Sequence, residues 1–168
     1  MATKHKQLGY KFEHEFDEGL QLAGFERDRD FFKIPDARAM SRLTTIRSPC
    51  DFVVFAHDGD YFFELKQTSS KRLPFRNIKP HQIEAMARAK KGYFVIDFKY
   101  TSRQHKVLAV PGKLMQKLAE KKMASINMND LAAMDGVIEL FRCTRKNHPT
   151  NFDAFIDVSN LQIMPLKN

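Results

Sequence analysis

Asp51 and the pair Glu64 and Lys66 are the residues of this chain whose types and spacing best suit polar catalysis. They lie in the stretch 48–68, where two apolar, aromatic-rich runs (51–56 and 61–65) flank His57, Asp58, Gly59 and Asp60. An Asp-Gly pair between β-prone runs predicts a hairpin, because glycine accepts positive φ at little steric cost. With Asp58 and Gly59 as a two-residue turn, Val53 lies opposite Glu64 and Asp51 lies opposite Lys66. Alternation along a strand then puts Asp51, Glu64 and Lys66 on one face. Asp51 and Glu64 become diagonal neighbours about 7–8 Å apart at the backbone, near enough for two carboxylates to share one cation. Leu65 points the other way, into the core.

Charges that converge on an apolar hairpin are expensive to bury unpaired. A hard divalent cation resolves the expense: Mg2+ prefers carboxylate and water oxygens and uses only one or two protein carboxylates. A lysine beside it can orient an attacking water or counter the charge of a phosphate. The bland alternative is a hairpin whose Asp, Glu and Lys are solvated or form an ordinary surface ion pair. The hairpin by itself leaves both readings open.

Before the hairpin, Leu8, Phe12, Phe16, Leu20 and Ala23 recur about every four residues, which predicts an amphipathic helix ending near Gly24. Glu13 and Glu15 flank its apolar stripe symmetrically, so helix geometry does not choose which of them leans over the hairpin. Residues 31–34 suit a short strand before a Pro35-Asp36 turn, and 37–43 a short helix, in a segment rich in arginine and lysine. After the hairpin, Lys71, Arg72, Arg76 and Lys79 are expected in a loop with Pro74, and Pro80 opens a helix. Ile83, Met86, Ala87 and Lys90 give that helix one apolar face with a basic end, and Gln82 falls in its first turn. Strands are predicted over 93–100, 106–110 and 137–143. A helix through Leu114, Met115, Leu118 and Ala119 ends at Lys121 and Lys122, and a short helical turn covers 129–134. Segments 152–158 and 161–165 close the chain. Helix, hairpin, then helices alternating with strands predict an α/β fold with a mixed central sheet flanked by helices.

The chain has 168 residues, enough for one domain with a sizeable core, so 1–168 is expected to form a single domain. Its net charge of +8 favours a polyanionic partner. Cys50 and Cys143 fit neither a Cys-x-x-Cys metal site nor a disulfide framework. No apolar run reaches membrane-spanning length and residues 1–10 lack a signal-peptide core, which predicts a cytoplasmic protein with no membrane partner.

With Asp51, the run Glu64-Leu65-Lys66 and the leading helix in view, the chain resembles the PD-(D/E)XK nuclease superfamily, and more sharply the RecU-type Holliday junction resolvases. The matching stretches are 9–13 (GYKFE), 48–52 (SPCDF), 63–68 (FELKQT), 73–78 (LPFRNI), 81–86 (HQIEAM) and 92–96 (GYFVI). Ser125-Ile126 before Asp130-Leu131 is similar to a late family segment. The resemblance covers most of the chain. It implies a restriction-endonuclease-like core and a homodimeric, Mg2+-dependent endonuclease, with Mn2+ as a substitute ion, acting on four-way DNA junctions in recombination and repair. Asp51, Glu64 and Lys66 would be its catalytic positions, with Asp51, Glu64 and the Leu65 carbonyl as metal ligands. Glu13 inherits the acidic position on the first helix, while Thr68 and Gln82 match family positions near the site. Lys71, Arg72, Arg76 and Lys79, with Thr68, are expected to meet DNA. Pro49 stands where the family usually has threonine, and residues 26–47 are short for the stalk that family members insert before the hairpin. Two rival readings are a superfamily nuclease acting on flaps or ends, and a catalytically silent DNA-binding protein of the same fold. The intact Asp51, Glu64 and Lys66 set opposes the second.

Overall fold

The structure is a computed structural model that describes residues 4–35, 48–101, 104–144 and 154–166, with side chains for 11–35, 48–101, 104–143 and 154–166. Helix α1 (Lys4–Leu22) buries Phe12, Phe16 and Leu20, three side chains spaced four apart and therefore stacked on one face. Gly24, at φ 91°, ends the run, and Ala23 is exposed rather than part of the stripe. Strands β1 (Phe31–Lys33), β2 (Phe52–Ala56) and β3 (Gly59–Thr68) follow, the last two forming the expected hairpin. The short helix expected over 37–43 and the turn at Asp36 lie outside the described residues.

The hairpin register differs from expectation. Ala56 pairs with Gly59 and Val53 with Phe62, so His57 and Asp58 make the turn. A two-residue turn at Asp58-Gly59 of the favoured kind needs positive φ at both positions, but only Gly59, at 123°, has it. Lys91 fixes the alternative by donating from Nζ to the Asp58 carbonyl (2.7 Å) and carboxylate while lying 4.4 Å over the Tyr61 ring. The shift moves each partner by two residues. Faces are therefore preserved, but Asp51 comes to lie one step beyond the Phe52–Phe63 pair, level with Glu64 and not Lys66.

The segment expected as a loop after β3 is instead built. Strand β4 (Arg72–Pro74) pairs antiparallel with a later strand, and a 3-10 turn (Phe75–Asn77) leads to helix α2 (Pro80–Arg88). Lys90 falls outside α2, whose buried residues are Gln82, Ile83 and Met86. Strands β5 (Gly92–Lys99) and β6 (His105–Pro111), helix α3 (Gly112–Glu120), strand β7 (Ser125–Asn127), helix α4 (Met128–Ala132) and strands β8 (Ile138–Thr144) and β9 (Ala154–Asp157) complete the order. Strand β7 is the partner of β4, and no pattern in the sequence marks it; residues 152 and 153 lie outside the described set.

The main sheet runs β1-β2-β3-β5-β6-β8-β9, antiparallel except for the parallel pair β3–β5. Each face carries its own core. On one side α1 covers Phe52, Phe63, Leu65 and Val95, with Phe16 edge-on to Phe52 (5.3 Å) and Phe63 (5.2 Å). On the other, α2, α3 and α4 bring Met86, Met115, Leu118 and Leu131 against Phe94, Ile96 and Leu108. The mixed sheet flanked by helices is as expected from the sequence.

Candidate active site

The site forms where the β2–β3 ladder stops. Asp51 donates its N–H to the Phe63 carbonyl (2.9 Å), and its own carbonyl accepts from the N–H of Ile34 (2.8 Å), so β1 and β3 both hold its backbone. Its carboxylate then does what the missing strand residue would have done: Oδ2 accepts the N–H of Leu65 (2.7 Å). Burial raises the Asp51 pKa; the Leu65 N–H and the charge of Lys66 oppose the shift, and Glu13 adds to it. No β2 residue pairs with Leu65, whose N–H is taken by the Asp51 carboxylate instead.

Glu64 is nearly fully buried, and its pKa is pushed up to about 7 by desolvation first and the Asp51 charge second, against the pull of Lys66 and Lys79. Its two oxygens are treated differently. Oε1 accepts from Lys66 Nζ (2.6 Å) and from Gln82 Nε2 (2.5 Å), whereas Oε2 is buried with no hydrogen-bond partner. Gln82 is itself held by the start of α2, because its side-chain oxygen accepts the Lys79 N–H (3.2 Å). Pro80 at the first helical position removes a donor that would have lacked a partner there. The amide of Gln82 thus holds Oε1 of Glu64, and Oε2 is left without a donor. Burial and the two carboxylates push the thiol of Cys50, which precedes Asp51, up to about 12, which disfavours its thiolate.

An orphaned carboxylate oxygen beside a second desolvated carboxylate is a donor set that fits a hard cation. Among the described residues no group of three or more His, Cys, Asp and Glu is placed to hold a metal. An ion here would rest on Asp51, Glu64, the Leu65 carbonyl and water, in keeping with the few protein carboxylates Mg2+ uses.

The two helix carboxylates separate clearly. Glu13 pairs with Lys33 of β1 (2.7 Å) and is close enough to act on Asp51, so it borders the site. Glu15 turns toward the far strands, where it is buried against Arg142 of β8. Lys33 is visible in the sequence only as one cation among many; nothing in its spacing marks it as a neighbour of the site.

The five residues expected at DNA divide in role. Lys71, Arg72, Arg76 and Lys79 are exposed, and Lys79 lies near enough to Glu64 to lower its pKa. Lys71 Nζ sits 5.1 Å over the Tyr100 ring, and Arg72 Nε donates to Ser125 Oγ on β7 (2.9 Å). Thr68 donates its hydroxyl to the Arg72 carbonyl (3.0 Å), which also accepts from the Ser70 hydroxyl (2.7 Å). Thr68 therefore shapes the turn that carries the cations.

No curated protein matches the chain. The family model described as Recombination protein U matches residues 34–145, two thirds of the chain, spanning β2–β3, the β4–β7 ribbon and α2. By that match the chain belongs to the RecU family of Holliday junction resolvases.

Proposed function

We propose that this protein is a Mg2+-dependent endonuclease with a PD-(D/E)XK core that nicks four-way DNA junctions, working as a homodimer. The observation that carries the reading is the unpartnered Oε2 of buried Glu64, whose other oxygen is held by Lys66 and Gln82 and whose carboxylate is near enough to feel the Asp51 charge. Bound between those carboxylates, the ion would supply positive charge to the scissile phosphate and make a water more acidic. The chain's own residues do the rest. Lys66 Nζ, which donates to Glu64 Oε1, would orient the attacking water or meet a phosphate oxygen. Gln82 keeps the carboxylate aimed, and Lys79, Lys71, Arg72 and Arg76 neutralise flanking phosphates. A homodimer would present two sites to a substrate of near two-fold symmetry.

The test is cleavage of a four-way junction, a flap and a linear duplex, with and without Mg2+, by the native protein and by Asp51→Asn and Glu64→Gln. Mg2+-dependent nicking of the junction, lost in both variants while junction binding persists, is expected. Cleavage by either variant at the native rate would overturn the metal assignment, and preference for the flap would overturn the junction reading.

A further inference from the structure

Lys113 and Lys117 of helix α3 and Lys121, the residue that caps its C-terminus, form a four-residue repeat along one face of the helix. All three are exposed, as are Lys122 and Gln116, while the opposite face buries Met115 and Leu118. None of the four lysines pairs with a carboxylate among the described residues, and the one acidic residue of α3, Glu120, borders the row. The start and end of α3 are fixed by contacts. Gly112 packs on the Met86 backbone at the end of α2, where a Cβ would come within 2.3 Å, as does Gly92 at the start of β5. At its other end the chain returns through Lys121 and Lys122 to Ala124, whose carbonyl accepts the N–H of Phe75 (3.1 Å), beside Arg76. Helices α2 and α3 therefore run side by side in opposite directions. The lysine row starts beside the end of α2 and finishes next to the β4–β7 ribbon, where Phe75 donates to the Ala124 carbonyl and Arg72 donates to Ser125.

We infer that this row, Lys113, Lys117 and Lys121, is a track for the phosphates of one duplex arm, continuous at its upper end with the cations of the β4–β7 ribbon. The inference rests on the nuclease reading for the direction in which the arm leaves the site. Eight residues of helix advance about 12 Å. One strand of duplex places a phosphate about every 3.4 Å along its axis, so an arm lying along α3 offers three or four phosphates to three lysines. Two lysines near the helix C-terminus also complement its dipole, but that role does not extend to Lys113 in the first turn.

The experiment uses the Asp51→Asn protein without metal, so that binding is read apart from cleavage. Four-way junctions are prepared with three consecutive neutral methylphosphonates moved stepwise along one arm. They are bound by this protein and by versions carrying Lys113→Gln, Lys117→Gln and Lys121→Gln together, or the three Lys→Arg changes. At one patch position the lysine protein should lose affinity while the glutamine protein loses none further. On unmodified junctions the log–log salt slope of the glutamine protein should be shallower by about 2.7, the value for three phosphates no longer neutralised. The arginine version should behave like lysine. If no patch position couples to the lysines and the salt slope is unchanged, the track is overturned and the row is a solvated or protein-facing surface. That outcome would leave the metal site untouched, since its own test is cleavage.

Discussion

At the scale of single residues, the site is defined by unequal treatment of one carboxylate. Glu64 has both donors on Oε1 and none on Oε2, and its folded pKa stands near 7 against an ordinary value of 4.5. An acid whose pKa is raised by folding holds an extra proton in the folded state between those two values. Stability therefore falls as pH climbs from about 4.5 to 7, by on the order of 3 kcal/mol if the shift is fully expressed. Glu64→Gln removes the titration. In metal-free buffer at pH 8 the variant should melt higher than the native protein, and the gap should close toward pH 5. Added Mg2+ should raise the native Tm at pH 8 more than at pH 5 and leave the variant's unmoved, because the ion needs the ionised carboxylate. A native Tm that is flat from pH 5 to 8 without metal would contradict this. Gln82 acts one step removed, through the orientation of Glu64. Gln82→Ala should raise the Mg2+ concentration for half-maximal cleavage by roughly tenfold or more while sparing much of the rate at saturating metal. An equal loss at all Mg2+ concentrations would assign Gln82 to the substrate instead.

At the scale of elements, legibility follows the length of the pattern. The four-residue rhythm of Phe12, Phe16 and Leu20 announces α1, and the aromatic runs announce the β2–β3 hairpin. Its register is not legible, because it depends on Lys91 reaching Asp58 from a distant turn. The β4–β7 ribbon is hidden for another reason: two three-residue strands far apart in sequence have no periodicity to read. The choice between Glu13 and Glu15 likewise needs Lys33 and Arg142, partners that helix geometry cannot name. The ribbon has its own consequence. Changing Lys71, Arg72 and Arg76 to Gln should lower junction and duplex affinity alike and flatten the salt slope by about 0.9 for each phosphate left without its cation. Far-UV circular dichroism should not change, since all three side chains are exposed. The seam between α2 and α3 is the opposite case. Gly112→Ala would drive a Cβ into the Met86 backbone, and should destabilise by about 1–3 kcal/mol in a urea titration. A neutral result would mean the two helices can slide apart.

At the scale of the molecule, the sheet divides two cores, and the site sits at their common border. Cys50 and Glu64 lie on the α2–α3 side, while Phe52, Phe63 and Leu65, their immediate neighbours, lie under α1. Asp51 and Glu64 of one 19.5 kDa chain form one such carboxylate pair among the described residues. Resolution of a junction, as opposed to a single nick, needs two strands cut, which is the reason to propose two copies. The charge of +8 per chain will repel a second copy, so any interface must overcome it, and association should strengthen with salt or with DNA. Sedimentation at rising ionic strength should then show mass moving toward twice 19.5 kDa. The decisive measurement mixes native protein with an excess of Asp51→Asn protein and follows a junction carried on a supercoiled circle. If the two copies act as a pair, the mixed dimer cuts one strand and leaves nicked circles, while native protein alone gives linear product. Linear product that persists in the mixture at an unchanged ratio to nicked circle would show two independent encounters and remove the dimer from the mechanism.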